Sequence, residues 1–308
     1  MIIDFHAHLY PLHFKSAGTS PPYIFDVGRM LEQQEEAGVD ITVVSNPMII
    51  VQGATRDLTA LDALKEWNDF AAELTISTRG RAVALSGTNP FGGEGFIKET
   101  ERAIREGGLK GISVNSSVEG EYLDSSRAYP LYELACDLDV PVFVHPPSRT
   151  IGADKMRDFR LIEMVGRPCD TTLSLSRLIL FGVLERYPNL KLVAAHMGGA
   201  LMMLPGRLDF GYTLRKDTAY GPWEPDVLSK PPSKYISQIY VDSMGFHAPG
   251  VLCAVNTVGV EHVLLGSDCP PVNIPLKRSV DLVMNLPIAE RDRENILGGN
   301  AARLLRLG

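Results

Sequence analysis

The amino-acid sequence predicts a (β/α)8 TIM barrel, a ring of parallel strands wrapped by helices, over residues 1–308 as a single domain. Three observations point to this fold. Short apolar, β-rich runs recur along the chain, each followed by a longer stretch of helical periodicity, which is the signature of βα units in a parallel sheet. Eight such runs are found, the number that closes a barrel. The length of 308 residues also suits one unit, since parallel α/β barrels reach this size as one domain.

The strands are expected at Ile2–His6, Ile41–Ser45, Arg81–Gly87, Gly111–Asn115, Val140–His145, Leu190–His196, Ile239–Asp242 and Val263–Asp268, each rich in Val, Ile, Leu or Phe. Helical periodicity is read over Val27–Ala37, Leu58–Ser77, Gly95–Glu106, Ala128–Leu138, Thr171–Arg186 and Val251–Val258, with Ala289–Leu305 closing the outer ring. Gly38, Gly80, Pro141 and Pro188 stop helices just ahead of strands. Two long connections, Pro146–Asp170 and Gly211–Lys234, break the rhythm. Segments of that kind usually line or cover a site, and both leave the C-terminal side of the barrel, where such enzymes build active sites.

Hydrophobic residues make up 45% and charged residues 22%, ordinary globular usage that excludes a fibrous repeat or a disordered chain. The formal net charge of −7 creates no field for nucleic acid or an anionic membrane, so an anionic substrate needs local cations. Cys136, Cys169, Cys253 and Cys269 are scattered, without a CxxC pair, which fits reduced thiols in a cytoplasm. No secretory signal is read at Met1–His6 and no run of about 18 apolar residues occurs, so a soluble, cytoplasmic protein is expected.

Strand alternation puts His6 and His8 on one face, where two imidazoles can chelate a borderline metal ion. His145, His196 and Asp268 each end another apolar run. Taken singly, each has a bland reading as a hydrogen-bonded histidine or a helix-capping aspartate. Taken together that reading weakens, because a parallel barrel brings its C-terminal strand ends to one rim. Four of the five complete a His3Asp set on a divalent ion that leaves room for water or substrate, and His196 stays free for acid/base work near neutral pH. His13 reads as an ordinary loop residue, and His262, at the start of the last strand, as structural.

The motifs Ile3-Asp4-Phe5-His6-Ala7-His8, Val144-His145-Pro146, Ala195-His196-Met197-Gly198-Gly199 and Leu265-Gly266-Ser267-Asp268-Cys269-Pro270 resemble those of the amidohydrolase superfamily, in its aminocarboxymuconate-semialdehyde decarboxylase-like branch. The likeness runs from end to end, through Phe181–Leu192 and the closing Gly299-Asn300-Ala301. It implies one divalent metal, zinc with manganese as the alternative, on His6, His8, His145 and Asp268, and His196 as the acid/base. Superfamily members with two metals bridge them through a modified lysine ending the fourth strand, and Gly111–Asn115 has no lysine, which favours one metal. The resemblance also makes Arg207 a carboxylate-binding residue presented across the interface of a homodimer or higher homo-oligomer, a role that a planar bidentate donor suits. His247, after the seventh strand, is a second substrate-binding candidate.

One departure concerns the substrate. The decarboxylase that names the branch has a longer stretch before its first helix, with a further substrate-binding arginine. Here Pro21-Pro22-Tyr23-Ile24-Phe25 leads straight into the helix, with only Arg29 and Arg56 nearby, so the aminomuconate semialdehyde itself is not expected. The expected activity is non-oxidative decarboxylation of an aromatic or unsaturated carboxylic acid, a small molecule, with the proton managed by His196 or delivered by Asp268. The alternative is hydrolysis or hydration at the same metal. A non-catalytic metal-dependent binding protein is disfavoured, because a free histidine beside an open metal site is hard to explain without proton transfer.

Overall fold

In the computed structural model, residues 1–14, 22–46, 59–217, 219, 221–270 and 272–307 are described. The strands in chain order are β1 (Ile3–His8), β2 (Ile41–Ser45), β3 (Ala82–Ala84), β4 (Ser86–Gly87), β5 (Ile112–Asn115), β6 (Ser117–Val118), β7 (Glu121–Tyr122), β8 (Val142–His145), β9 (Leu192–Ala194), β10 (Tyr240–Asp242) and β11 (Val263–Leu264). Apart from the antiparallel β6–β7 hairpin, every pairing is parallel, in the order β1-β2-β3 and β4-β5-β8-β9-β10-β11.

Backbone hydrogen bonds join these two ladders into a ring. β3 and β4 flank Leu85, whose N–H donates to Val44 O at 2.9 Å, while the Lys110 N–H reaches Ala84 O at 2.8 Å. At the other seam the Phe5 N–H donates to Leu265 O at 2.8 Å and the Asp268 N–H to His6 O at 2.7 Å. Counting β3 and β4 as one strand broken at Leu85, the expected (β/α)8 ring is closed.

The core follows from strand alternation. Phe5, Val43, Val83, Leu85, Phe143, Val193, Ala195 and Leu264 form one buried cluster inside the ring, and Ala301, Leu304 and Leu305 of the helix Asn300–Leu305 pack onto it from the N-terminal end. Residues of opposite parity, such as Val142, Val144, Leu192 and Ala194, instead meet the surrounding helices. In β1 the register against β2 shifts between Asp4 and Ala7. That bulge reverses the alternation. Ile3 and Phe5 fill the barrel below it, while above it Ala7 and Leu9 pack outward with Leu64 and Trp67.

The helix Val27–Ala37 matches its expected bounds: Asp26 accepts the Arg29 N–H at the start, and Gly38, in the left-handed region, ends it. Elsewhere the ends moved. Thr171–Arg186 is two helices, Arg167–Leu180 and Val183–Arg186, because the chain turns through left-handed Gly182. Ala289–Leu305 contains a π turn over Asn295–Gly299 between two α segments. The helix Pro205–Thr213 carries Arg207, and Ser233–Ile236 and Lys277–Met284 add two helices whose bounds were not read from the sequence. The proposed helix start at Leu58, and Arg56, lie outside the described residues. Among the described residues no helix is long and apolar enough to cross a membrane.

Candidate metal centre

The two histidines of β1 stand inside the strand, which runs to His8 rather than stopping at His6. The bulge turns both into the ring, and their Nε2 atoms lie 3.2 Å apart. His145 ends β8 with Phe143 below it in the barrel, and its Nε2 is 3.2 Å from that of His8. Asp268 lies four residues past the end of β11, with a positive φ of 58°. The sequence reading extended that strand to Asp268, yet pairing with β10 ends at Leu264. Beyond it Asp4 takes over the backbone, accepting from the Ser267 N–H at 3.0 Å and from Ser267 Oγ at 2.5 Å. This turns the carboxylate inward, and Asp268 Oδ1 stands 3.2 Å from His8 Nε2 and 3.6 Å from His6 Nε2.

The four residues are buried, and each offers a ligand atom within 4.8 Å of the others. Bonds of about 2.0–2.1 Å from a tetrahedral ion put neighbouring donors about 3.4 Å apart, so the observed spacings fit one first-row divalent ion. The outer nitrogens sharpen this fit. His6 Nδ1 donates to Asp242 Oδ2 at 2.6 Å, His8 Nδ1 to Ser45 O at 3.2 Å, and His145 Nδ1 to Pro146 O at 2.9 Å. Each ring thus spends its one neutral-state proton outward and turns a bare lone pair inward. Three lone pairs and a carboxylate facing one another call for a cation.

The electrostatics agree. Burial lowers the proton affinity of His8; for His145, burial and then the charges of His8 and His6 hold it well below the ordinary value. Burial also opposes a charge on His6, but Asp242 and then Asp268 outweigh it and raise its pKa. Burial alone would raise Asp268, yet His6, His196 and His8 override it and hold the carboxyl well below the usual range. Burial pushes Asp4, behind the centre, up to about 7.

His196 sits two residues beyond β9 rather than at its end, in a short turn with a φ of 55°. Its Nε2 is 3.5 Å from Asp268 Oδ2, and its buried Nδ1 has no hydrogen-bond partner among the described residues. The ring therefore lies beside the four donors without belonging to them. Arg207 and His247 do not join this group within the chain. Arg207 is exposed on the helix Pro205–Thr213 and borders a cavity of about 300 Å³ with Phe210, Arg215 and Trp223. His247 is exposed at the start of the helix Ala248–Val258.

The sequence reading missed Asp242, Asp4, Ser45 and Tyr10. Asp242 ends its strand as His145 ends β8, and that parallel was the available signal; its Oδ1 also accepts from the Met197 and Met244 N–H groups at 3.1 Å. Burial and then the charge of Asp268 raise the Tyr10 phenol, and the charge of Arg167 opposes them, so the ring lies within electrostatic reach of both. Gly266 is required by packing, since a Cβ there would stand 2.7 Å from Asp242 Cβ and 3.0 Å from His6 Cβ. His262 is structural, donating from Nδ1 to Val258 O at 2.9 Å and stacking edge-on against Tyr240. The Cys269 thiol donates to Gln33 and is pushed up to about 12 by burial. A cavity of about 740 Å³ opens along the segments that follow β5 and β8, lined by Asn115, Ser117, Tyr122, Pro147, Arg149 and Thr150.

Comparison with known proteins follows the same lines. The chain is 32% identical to a 2-amino-3-carboxymuconate-6-semialdehyde decarboxylase of Dictyostelium discoideum, over 90% of this chain and 76% of that one. It is 22% identical to a 2-keto-4-carboxy-3-hexenedioate hydratase of a Sphingobium strain, over 99% and 96% of the two chains. A dihydroxybenzoic acid decarboxylase from Polaromonas, solved with manganese and 2-nitroresorcinol, superposes with a TM-score of 0.83 at 24% identity, over 99% and 97% of the two chains. A family model for amidohydrolases matches residues 3–307. The chain belongs to the amidohydrolase family, in the group that resembles aminocarboxymuconate-semialdehyde decarboxylases.

Proposed function

We propose that this protein is a metal-dependent, non-oxidative decarboxylase of an aromatic or unsaturated carboxylic acid, formed by residues 1–308 as one barrel domain. The observation that carries the reading is the convergence of three inward imidazole lone pairs and the Asp268 carboxylate, with His196 alongside but outside the set. The decarboxylase relative at 32% identity supports the direction of the chemistry. When bound, the divalent ion supplies Lewis-acid polarisation of substrate oxygens.

The chain's own residues supply the rest. His6, His8, His145 and Asp268 hold the ion, and Asp242, Ser45 and Pro146 orient the rings. His196, held to Asp268 through Nε2, delivers a proton to the carbon that bears the carboxylate, with Asp268 as the neighbouring acid that shares it. The bond to the carboxylate then breaks, its electron pair returns to the unsaturated system and carbon dioxide leaves, so no oxidant is consumed. Arg207, exposed and away from its own centre, is assigned to a substrate carboxylate in a neighbouring subunit of a homodimer or higher oligomer. His247 is assigned to the outer mouth. Zinc suits the His3Asp set; manganese is the competing ion, as in the Polaromonas enzyme. Four free cysteines fit a reducing, cytoplasmic setting.

Hydration of an unsaturated acid is the second reading, favoured by the Sphingobium hydratase match. The two separate on one measurement: metal-loaded protein given hydroxybenzoates and unsaturated di- and tricarboxylic acids, followed by carbon dioxide release and by mass. Carbon dioxide loss supports the first reading, and a gain of water sinks it. His196→Ala should lower turnover by about 10²-fold or more with the metal still bound. Retained turnover would remove His196 from its role.

A further inference from the structure

His196 is placed by its backbone more than by its ring. The rings of His6, His8 and His145 are each fixed by a hydrogen bond at the outer nitrogen. His196 has no such tether: Nδ1 is buried without a partner among the described residues, and Nε2 makes one long contact, 3.5 Å to Asp268 Oδ2. Where the imidazole points is therefore set by the turn beneath it. That turn is strained, because four successive residues have left-handed φ values, 55° at His196, 57° at Met197, 69° at Gly198 and 64° at Gly199. Glycine tolerates such angles, but two adjacent residues with side chains keep them only where the surroundings over-determine the backbone.

The segment that follows β10 supplies those surroundings. A Cβ on Gly245 would lie 2.2 Å from Met197 Cε, and one on Gly250, in the first turn of the helix Ala248–Val258, would lie 3.2 Å from Cε and 3.3 Å from Sδ. Neither glycine has a left-handed φ, so backbone shape does not call for glycine at either position. What the two missing side chains provide is a seat for the Met197 thioether. Asp242 holds seat and occupant in register, since its Oδ1 accepts both the Met244 N–H, beside Gly245, and the Met197 N–H, each at 3.1 Å. Further along, Gly199 packs on the Pro168 carbonyl, where a Cβ would lie 2.2 Å from the oxygen, and Thr172 Oγ1 accepts the Ala200 N–H at 2.8 Å.

We infer that Met197 is a positioning residue, whose thioether, seated against Gly245 and Gly250, locks the strained turn and so aims the His196 imidazole at the metal centre. Its bearing on turnover rests on the reading of His196 as the acid/base group above. An unbranched, flexible thioether suits a seat formed by two missing side chains. Without it the turn is free to relax towards ordinary backbone angles, and the imidazole it carries moves with it. Displacing an acid/base group by about 1 Å costs up to about 10²-fold in rate. The ion, held by residues of other segments, stays in place.

The test compares crystal structures and turnover of metal-loaded wild type, Met197→Ala, Met197→Leu and Gly245→Ala. In Met197→Ala the His196 ring should shift while His6, His8, His145 and Asp268 keep their places and the metal content is unchanged. Met197→Leu, of similar volume, should keep the wild-type position. Gly245→Ala fills the seat from the other side and should displace the ring in the same way, so the outcome does not hang on one variant folding. Turnover is read as carbon dioxide release from the acid of the panel above on which wild type is most active. In Met197→Ala kcat should fall about tenfold or more with KM little changed, and the same substitution should cost nothing further in a His196→Ala background. An imidazole that stays in place in Met197→Ala, or an equal loss of turnover in the His196→Ala background, overturns the assignment. A shifted imidazole with full turnover leaves Met197 in its role and instead removes His196 from catalysis.

Discussion

Asp242 touches no inward donor atom, yet the centre depends on it. It fixes the proton of His6 on Nδ1, and its other oxygen holds the N–H of Met197, beside His196. Asp242→Asn should weaken metal affinity about 10- to 100-fold, as losses behind a ligand usually do, with the fold intact; metal-competition titration reads it, and unchanged affinity would remove Asp242 from the centre. Gly266→Ala should act more severely, because the new methyl must push apart β1 and β10 where they carry His6 and Asp242. Low metal occupancy in the folded variant is the expected result, and full occupancy would refute the packing argument. Histidines and aspartates that end apolar runs were readable from the sequence, since chemistry and strand period coincide there. Ser45 and Asp4 were not, because only the folded ring brings the Ser45 carbonyl to His8 and the Asp4 carboxylate to Ser267.

The helices outside the ring read well where an amphipathic face and a cap agree, as in Val27–Ala37. They read poorly where tertiary packing decides, as at the π turn of Asn295–Gly299. β1 shows the same limit: strict alternation correctly paired His6 with His8, but only the bulge brings them to the side that Phe5 already occupies. The helices Ala60–Ser77 and Glu94–Arg105 offer a test of element docking. Glu99 accepts from Asn68 Nδ2, Arg102 Nε and Arg102 Nη2, each at 2.8 Å, and Arg102 also reaches Asp69. Burial would raise the Glu99 carboxyl, but Arg102 and Asn68 prevail and hold it below the ordinary 4.5. A depressed carboxyl stabilises the fold above its unfolded value and loses that contribution as pH falls through the folded one. Glu99→Gln should therefore melt below wild type at about pH 6, and the gap should narrow towards about pH 3. A gap that does not change with pH would mean that shape, not charge, docks these helices.

At the scale of the whole molecule the barrel and the cluster stand or fall together. Three imidazole lone pairs and a carboxylate crowded at 3.2–3.6 Å turn their electron density towards one space, which a bound cation stabilises. Removing the ion with a chelator should lower the melting temperature by several degrees, and re-adding a divalent ion should restore it in proportion to its concentration. A melting curve indifferent to chelation would contradict the proposed centre.

The seam at which the Asp268 amide meets the His6 carbonyl has one more implication. The donors that share the ion run from His6 to Asp268 in sequence, so a polypeptide still emerging from the ribosome cannot complete the set until the segment that carries Asp268 has been synthesised. Completion of the donor set therefore follows synthesis of β11, and products that stop short of Asp268 lack its carboxylate.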